Sequence, residues 1–577
     1  AASRSSHKSQ GFGSAPTLGS RTEYIEIIDG KRPLSNDPFE GINTSWSRLE
    51  GGASIGTMVA QAIESFDFKH PEKSIEALVS IHKAIENLPT SLWKERKLAA
   101  TKQLLLDCAG VQMQFNAERP YGIADESLKI NLNVVQQSKL PIELETIKTT
   151  EGITQLDQDL ETNKRFTQSF EVALDNSIST PYWLLEKGSL GTFEIENKEW
   201  IGKPQTPNPI QIEYHLNIAG TSIAFVAAVQ HRKTDPVRGE VINPFYILPA
   251  LGVTFEQPVF LYANDEPQTL RLNVTSYGEA YEGAIELCHP KGWEIDQATL
   301  PITLNGRGSS QFLEYQLKPT AAAESGLLGP LAIKGDKKEN VFAVQTLSYT
   351  HIPKQYIAQP SEAKAVRLDL KIPQIKVGYI AGAGDTVKER LQTVGLSVES
   401  IDIETTTLAE LKTYDAIIVG IRAYNVIESL SYKNQMLFDF AKAGGTLVTQ
   451  YNTSRGLKTN KLTPLNMKLS RDRVTDEFSS VRILETKHPA LNVPHKITAQ
   501  DFEGWVQERG LYFPNQWDDR FTPLLGMNDA GETEKLGSIL VAPHGEGTIV
   551  YTGLSFFREL PAGVPGAYRL LINLLAL

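Results

Sequence analysis

The ten histidines are the first residues to test for metal chemistry, because imidazole is a common zinc ligand. A zinc site needs three or four converging ligands, usually with one close pair, and no H-x-x-x-H or H-x-x-H pair occurs in this sequence. Three histidines precede a proline, and none of these dipeptides is followed by two carboxylates: His70, His289 and His488. The sequence therefore predicts no metal site in this chain, with a site assembled from scattered residues left open as the alternative.

The two cysteines, Cys108 and Cys288, are too few for a disulfide framework or a four-thiolate zinc site. Gly382-Ala383-Gly384 follows an apolar strand pattern, as the start of a dinucleotide-binding loop does. Val387 stands where that loop carries its third glycine, so the segment favours an ordinary turn.

Polar and aromatic residues near the C-terminus suggest ligand binding. Two follow the third strand of an α/β pattern, where such folds bind ligands, and four form a dense cluster that would suit a sugar. The alternatives left open are a solvated loop for the first group and a buried tryptophan with a satisfied ion pair for the second. The candidate ligand-binding residues are Arg422, Tyr424, Asp501, Glu503, Trp505 and Arg509.

The charge of the chain narrows its partners. A net charge of −11 over 577 residues argues against nucleic acid and against an anionic membrane surface, since both require a basic face. No run of 18 apolar residues is present, so no transmembrane segment is predicted. The chain begins Ala1-Ala2 with no apolar leader. We therefore expect a fragment or a processed chain, periplasmic or secreted.

The first part of the chain reads as helical. Apolar residues recur at helical spacing within 52–115, and the third helix is predicted over 91–115. This pattern predicts a helical region over 31–120.

The middle of the chain reads as β-structure. Alternating apolar and polar residues predict a β-rich module over 121–250 and a sandwich-like module over 251–355. The polar stretch 354–368, which contains Pro360, reads as a linker.

The last part, 370–577, alternates strands with helices. Helices are predicted near 386–394 and 431–443, between apolar strands at 375–380, 398–403, 414–420 and 445–450. Such alternation is typical of a doubly wound parallel sheet. The predicted fold class is therefore multi-domain α+β and α/β, with a helical N-terminal region, two β-rich modules and a C-terminal doubly wound parallel α/β domain.

This last domain resembles the class I glutamine amidotransferase-like superfamily, and its ThuA-like members, at segments 378–380, 414–419, 444–448 and 545–553. Active members carry a cysteine on a strained elbow after a strand. Here the fourth strand runs into Gln450-Tyr451-Asn452, so the resemblance implies a scaffold or ligand-binding version without the nucleophile. An enzyme using Thr453 or Ser454 as nucleophile stays open as an alternative.

A second resemblance covers nearly the whole chain. Segments 5–13 and 19–24 resemble the last part of the PIG-L/LmbE deacetylase domain, and 39–48, 235–240 and 501–510 resemble the region downstream of that domain in long bacterial members. The family implies a zinc-dependent N-deacetylase of N-acetylglucosamine-type sugars whose motif, His-Pro-Asp-Asp, is absent from this chain.

The resemblance makes residues 1–30 the tail of a deacetylase-like domain. His7 and Gln10 are the positions carried over, as a candidate rim of the deacetylase site or as an ordinary helix end. We therefore expect the accessory part of a PIG-L-type deacetylase, which positions a glycan and lacks a complete active site. Zinc and catalysis would belong to an upstream domain of the same polypeptide. The alternative is a free-standing carbohydrate-binding or assembly protein, and the sequence upstream of Ala1 distinguishes the two.

Overall fold

The structure is a computed structural model that describes residues 7, 19–188 and 191–577. The chain forms two compact units. The first contains the described residues up to Asn116, with Asn131–Phe170 and Gln211–Ala228; the second contains Ala117–Ile130, Glu171–Ile210 and Val229–Leu577. The prediction of a multi-domain chain rich in β-structure is confirmed.

The first unit begins with three helices: α1 (Ala53–Glu64), α2 (Ile75–Glu86) and α3 (Leu92–Ala109). Ile55, Ile81 and Ile85 form their shared core. The structure corrects the predicted end of the third helix, because Gly110 adopts a left-handed conformation (φ 64°) that closes α3. A strand begins at Val111, so the helical region is shorter than 31–120.

Eleven strands follow: β1 (Val111–Ala117), β2 (Tyr121–Ile123), β3 (Ser127–Gln136), β4 (Ile142–Thr149), β5 (Gly152–Asp159), β6 (Arg165–Ala173), β7 (Gln211–Ile218), β8 (Thr221–Ala228), β9 (Gln230–Asp235), β10 (Gly239–Pro244) and β11 (Tyr246–Leu248). The first unit contains an antiparallel sheet in the order β5-β4-β7-β8. Tyr214 and Phe225 stack across it with ring centroids 5.5 Å apart. In the second unit β9 pairs with β10 and β2 with β11. The predicted single module 121–250 is therefore divided between the two units.

A sandwich of two sheets occupies the next part of the second unit. Its strands are β12 (Leu251–Phe255), β13 (Val259–Tyr262), β14 (Gln268–Ser276), β15 (Tyr281–Cys288), β16 (Trp293–Ile295), β17 (Thr299–Leu304), β18 (Ser310–Pro319), β19 (Gly326–Lys334), β20 (Lys337–Asn340), β21 (Phe342–Leu347), β22 (Gln355–Pro360) and β23 (Ala363–Arg367). The sheet orders are β16-β18-β14-β12-β21-β22 and β13-β23-β19-β15-β17, with β20 beside β19. Buried Tyr262 and Trp293 meet edge to face, 4.7 Å between centroids.

The structure corrects the linker predicted over 354–368. Strand β22 pairs with β21, and β23 lies between β13 and β19. Ala363 and Ala365 are buried in the core of the sandwich, and Val366 is buried in the core shared with the parallel sheet, so both faces of β23 are covered. The sandwich therefore extends to Arg367.

The remaining elements are β24 (Lys376–Ile380), α4 (Val387–Thr393), β25 (Ser397–Ser400), α5 (Leu408–Leu411), β26 (Ala416–Val419), α6 (Ala423–Val426), α7 (Leu430–Lys442), β27 (Thr446–Thr449), β28 (Met467–Val474), β29 (Val481–Ile483), β30 (Gly510–Trp517), β31 (Thr522–Pro523), β32 (Leu525–Met527), β33 (Ile539–His544), β34 (Gly547–Thr552), α8 (Phe556–Glu559) and α9 (Pro565–Leu575). They build a seven-stranded sheet in the order β25-β24-β26-β27-β34-β33-β31. In this sheet β25, β24, β26, β27 and β34 are parallel to one another. Strand β33 pairs antiparallel with β34, and β31 pairs antiparallel with β33.

Both faces of this sheet are covered. One core joins residues of β24, β26 and β27 to α4 and α9, and the other joins the alternate residues to α7. The first core also includes Val259, Leu261 and Val366 of the sandwich, so sandwich and parallel sheet share one core within the second unit. In the part of the chain that the structure describes, no helix is both long enough and apolar enough to cross a membrane.

Candidate ligand-binding site

The order of the parallel strands identifies the edge at which to look for a site. Strand β24 lies between β25 and β26, so the chain reverses its direction of winding between β24 and β26. In open α/β sheets, ligands bind outside the carboxyl ends of the strands at such a reversal. The residues that follow β24, β26 and β27 are therefore the first candidates.

The glycine-containing loop after β24 is closed by its own contacts. The Ala383 N–H donates to the Ile421 carbonyl at 2.9 Å. A side chain at Gly382 would collide with that carbonyl. The Tyr379 hydroxyl donates to the Asp385 carboxylate at 2.6 Å. The loop is thus packed against the loop after β26, and glycine at position 382 lets the two backbones approach each other closely.

Arg422 occupies a strained turn between β26 and α6. It is exposed and left-handed (φ 54°, ψ 18°), a conformation that costs a residue other than glycine energy and that clusters at functional sites. Its N–H donates to the Tyr451 carbonyl at 2.7 Å. The sequence pointed to the turn after the fourth strand as the elbow position, whereas the left-handed turn here follows the third. The group it presents is a guanidinium, which is a cation and hydrogen-bond donor and no nucleophile.

Tyr424, predicted beside Arg422, faces inward. It is 0% exposed, and its hydroxyl has no hydrogen-bond partner among the described residues. Burial raises the pKa of this phenol above its ordinary value. Of the predicted pair, the structure leaves only Arg422 accessible to a ligand.

Three aromatic rings meet beside Arg422. Tyr451, directly after β27, stacks on Phe557 of α8 with centroids 5.7 Å apart and an interplanar angle of 15°. Tyr512 of β30 also contacts Tyr451, with 5.8 Å between ring centroids. Tyr451 is 9% exposed, while Tyr512 and Phe557 are each partly exposed. Tyr512 is also left-handed (φ 52°). The three rings and Arg422 form what we call the edge surface.

An ion pair borders the edge surface. The guanidinium of Arg558 lies 4.9 Å from the Phe557 ring centroid and donates to Glu508 at 2.8 Å. The Ser555 hydroxyl donates to the Glu508 carbonyl at 2.8 Å and so fixes that segment. Burial raises the pKa of Tyr451, and the nearby Arg422 cation partly offsets this rise. The edge surface and the ion pair at its border together offer apolar ring faces and two guanidinium groups.

A buried carboxyl lies behind this ion pair. Glu559 is 0% exposed, and one of its oxygens accepts the Val506 N–H at 3.0 Å. Burial raises its pKa to about 8, so it is largely protonated at neutral pH. Glu508, paired with Arg558, lies beside it. Two neighbouring carboxyl groups are therefore held in contrasting environments.

The predicted cluster at 501–510 lies mostly in the interior. Trp505 is 3% exposed and its indole N–H donates to the Asp501 carbonyl at 3.0 Å, so the ring faces other side chains. Arg509 is 4% exposed, donates to the Ser479 and Phe502 carbonyls, and stacks on Trp505. These contacts give Trp505 and Arg509 a structural role.

The other two members of that cluster differ from each other. Asp501 is buried, with Arg569 at 3.2 Å and the Thr498 N–H at 2.7 Å from its carboxylate. Glu503 is exposed. A buried tryptophan with a satisfied ion pair, the alternative to sugar binding, therefore describes the geometry of this cluster better than a sugar-binding surface does.

Several remaining candidates are also located. His7 is exposed in a turn, and Gln10 lies outside the described residues. The Thr453 hydroxyl donates to the Arg455 carbonyl at 2.9 Å. Among residues 7, 19–188 and 191–577, no three His, Cys, Asp or Glu side chains are grouped to hold a metal ion. The described residues therefore do not fit the zinc centre of a deacetylase.

Sequence reasoning missed Tyr451, Tyr512, Phe557 and Arg558. A signal existed for Tyr451, which immediately follows a buried strand in the position where α/β ligands bind. No signal existed for Tyr512 and Phe557, because nothing in the local pattern says that positions so far apart in the chain meet. What the edge surface can do chemically is bind: its rings offer apolar faces, and its guanidinium groups donate hydrogen bonds.

No protein-family model and no curated protein matches this sequence. Among solved structures the chain is similar to a cold-adapted β-galactosidase from Rahnella sp. R3 (17% identity, TM-score 0.22, covering 34% of this chain and 30% of that one). It is also similar to the exo-β-1,4-mannosidase Op5Man5 from Opitutaceae bacterium strain TAV5 (11% identity, TM-score 0.22, 35% of each chain). A third likeness is to a Salmonella α-2-macroglobulin mutant (9% identity, TM-score 0.17, 44% of this chain and 16% of that one). The chain spans about a third of the length of the two glycosidases, and at these TM-scores the likenesses carry no argument.

Proposed function

We propose that this chain binds a carbohydrate through the edge surface and does not itself catalyse a reaction on it. We further propose that it is the accessory, glycan-positioning part of a PIG-L-type N-deacetylase of N-acetylglucosamine-type sugars, with an amidotransferase-like C-terminal region that has lost its nucleophile.

The observation that carries the binding proposal is the aromatic group Tyr451, Tyr512 and Phe557, set beside Arg422 at the carboxyl edge of the parallel sheet. A pyranose ring presents apolar C–H faces and a rim of hydroxyls. Partly exposed aromatic rings suit the faces, and guanidinium groups suit the hydroxyl oxygens. Tyr512 and Arg422 are both left-handed, and such strain persists only where the surrounding structure holds it.

The proposed absence of catalysis rests on the groups present. Both cysteines of the chain precede the α/β region: Cys108 lies in α3 and Cys288 at the end of β15. The strained turn carries Arg422 in place of a nucleophile. The resemblance to the PIG-L family supplies the proposed sugar class and the upstream catalytic partner.

The binding proposal is tested by calorimetric titration of the full chain with a β-1,4-linked N-acetylglucosamine trimer. Phe557→Ala and Tyr512→Ala should each weaken binding about tenfold, because one stacked ring contributes roughly 1.4 kcal/mol. The matched control is Phe312→Ala on the sandwich, a ring that is 64% exposed and should leave affinity unchanged. Failure of the unmodified chain to bind the trimer, or equal affinity in all three variants, would refute the proposal.

The accessory role is tested separately. The full chain with added zinc is expected to release no acetate from the trimer, and the coding sequence upstream of Ala1 is expected to encode a His-Pro-Asp-Asp segment. Stoichiometric zinc with turnover by this chain would show that it is catalytic. A start codon and leader directly before Ala1 would favour a free-standing carbohydrate-binding or assembly protein.

A further inference from the structure

A pocket lies at the end of β30 that is farther from Tyr512. It is an open depression with a volume of about 380 Å³. Trp517, Gln516 and Asp518 line it from β30 and the residue that follows, and Met467, Lys468 and Asn466 line it from the start of β28 and the residue before it. Tyr512 lies near the start of β30 and Trp517 at its end, and the pocket lining includes none of the residues of the edge surface. The pocket is therefore a separate place on the molecule from the edge surface.

The pocket is held in shape by the pairing of its two strands. Met467 lies opposite Trp517 and Lys468 opposite Gln516, and the ladder becomes irregular directly after Lys468. The Asp518 N–H donates to the Asn466 carbonyl at 2.9 Å, which continues the pairing one position beyond the two strands. Trp517 and Met467 pack against the core beneath the sheet. The indole is thus anchored on one side while it lines the pocket.

The charge of the pocket selects among ligands. Arg520 grips both carboxylate oxygens of Asp518 at 2.8 Å, which holds the pKa of Asp518 at about 2 and fixes the carboxylate in place. Asp519 adds a second, exposed carboxylate, and Lys468 is the one cation in the lining that the structure describes. Counting Arg520, the two carboxylates are matched by two cations, so the pocket and its border carry no net positive charge that would attract a phosphate or a uronic acid.

The hydrogen-bonding groups match a neutral polyol. The amides of Asn466 and Gln516 each donate and accept, and the carboxylate of Asp518 accepts from hydroxyl groups. Trp517 offers an aromatic surface for the C–H face of a ring. An apolar ligand would leave these polar groups without partners, at a cost for each.

We propose that this pocket is a second saccharide site, which takes one non-acidic hexopyranose unit through Trp517, Gln516 and Asp518. This second site does not depend on the edge surface. A glycan long enough to span both sites would bind more tightly than either site alone allows.

The test is calorimetric titration with three sugars. Methyl β-glucopyranoside and N-acetylglucosamine are the neutral ligands, and glucuronate is the acidic one. Measurements are made on the full chain carrying Phe557→Ala, so that the edge surface is already weakened. This protein should still bind the neutral sugars. Added Gln516→Ala should reduce their affinity roughly fivefold, the effect of one hydrogen-bonding group. Added Trp517→Ala should reduce it at least tenfold.

Asn515→Ala is the matched control, since Asn515 is an exposed neighbour outside the pocket lining and its loss should change nothing. Because Trp517 also packs on the core, the exposed Gln516 keeps the test valid even where the tryptophan variant loses stability. Unchanged affinity in Gln516→Ala, or glucuronate binding more tightly than the neutral sugars, would overturn the proposal.

The two proposals fail in different ways. Loss of all saccharide binding in Phe557→Ala would remove the second site and leave the edge surface standing. Undiminished binding in Phe557→Ala, together with its loss in Gln516→Ala, would remove the edge surface and leave the second site.

Discussion

Glu559 offers a direct test of the electrostatics behind the edge surface. Its carboxyl is fully buried, accepts the Val506 N–H with one oxygen, and has no partner for the other among the described residues. Replacement by glutamine keeps the shape and an oxygen for the Val506 N–H, and it removes only the ability to ionise. We expect Glu559→Gln to stabilise the second unit at alkaline pH.

The magnitude is set by the raised pKa. The group has a pKa of about 8 in the folded protein and an ordinary value of 4.5. Well below pH 4.5 the carboxyl is protonated in both the folded and the unfolded state, so its ionisation does not change the free energy of unfolding. Between these values the folded protein holds a proton that the unfolded chain releases, so stability falls as pH rises. From pH 5 to pH 8 the loss is about 3 kcal/mol for this single group.

The assay is urea denaturation at pH 5, 6, 7 and 8, followed by near-ultraviolet circular dichroism. Glu559→Gln should flatten the decline of the wild-type protein, with a gain on the order of 3 kcal/mol at pH 8 and little change at pH 5. Glu503→Gln is the control, because Glu503 is exposed and should show no such stabilisation. A variant that is no more stable than wild type at pH 8, or a wild-type protein whose stability does not fall from pH 5 to pH 8, would refute the reasoning.

Two further predictions concern packing and pH. Gly547→Ala should destabilise the second unit by about 1–3 kcal/mol in urea denaturation, because the new methyl group would collide with two backbone carbonyls. The control is Gly329→Ala, whose methyl group would meet no atom within 4 Å and should cost less than about 1 kcal/mol. Equal losses of stability in the two variants would contradict this reasoning. His82 is 2% exposed and burial lowers its pKa from 6.5, so the folded first unit resists protonation and its stability should fall as pH drops below 6.5. His82→Leu should weaken that dependence in thermal denaturation between pH 5 and pH 7.5, and an unaltered dependence would exclude His82 as its source.

Much of the element order could be read from the sequence. The apolar runs predicted at 375–380, 414–420 and 445–450 coincide with β24, β26 and β27 within two residues. They are legible because strands covered on both faces must be apolar at every position. The sequence pattern does not predict the individual strands between β27 and β33. Its ladder contains register shifts, and alternation cannot be followed across a bulge.

The predicted linker and the predicted sugar-binding cluster show where local pattern misleads. The stretch containing Ala363 and Ala365 looked polar and broken, yet its small residues complete a sheet. Trp505 and Arg509 looked like a binding surface because aromatic and charged residues alternate there. They are buried, since Arg509 satisfies its guanidinium with backbone carbonyls from Ser479 and Phe502.

The sequence alone determined the acidic charge, the absence of a cysteine in the α/β region and the position of its parallel strands, because each of these depends on composition or on neighbouring residues. Only the tertiary structure decided which polar and aromatic side chains reach the surface together. Tyr451, Tyr512 and Phe557 come from three distant parts of the chain. Tyr451 and Phe557 follow the carboxyl ends of the neighbouring strands β27 and β34, and Tyr512, near the start of β30, contacts Tyr451. Contacts between such distant positions depend on how the chain returns on itself, and no local period records that path.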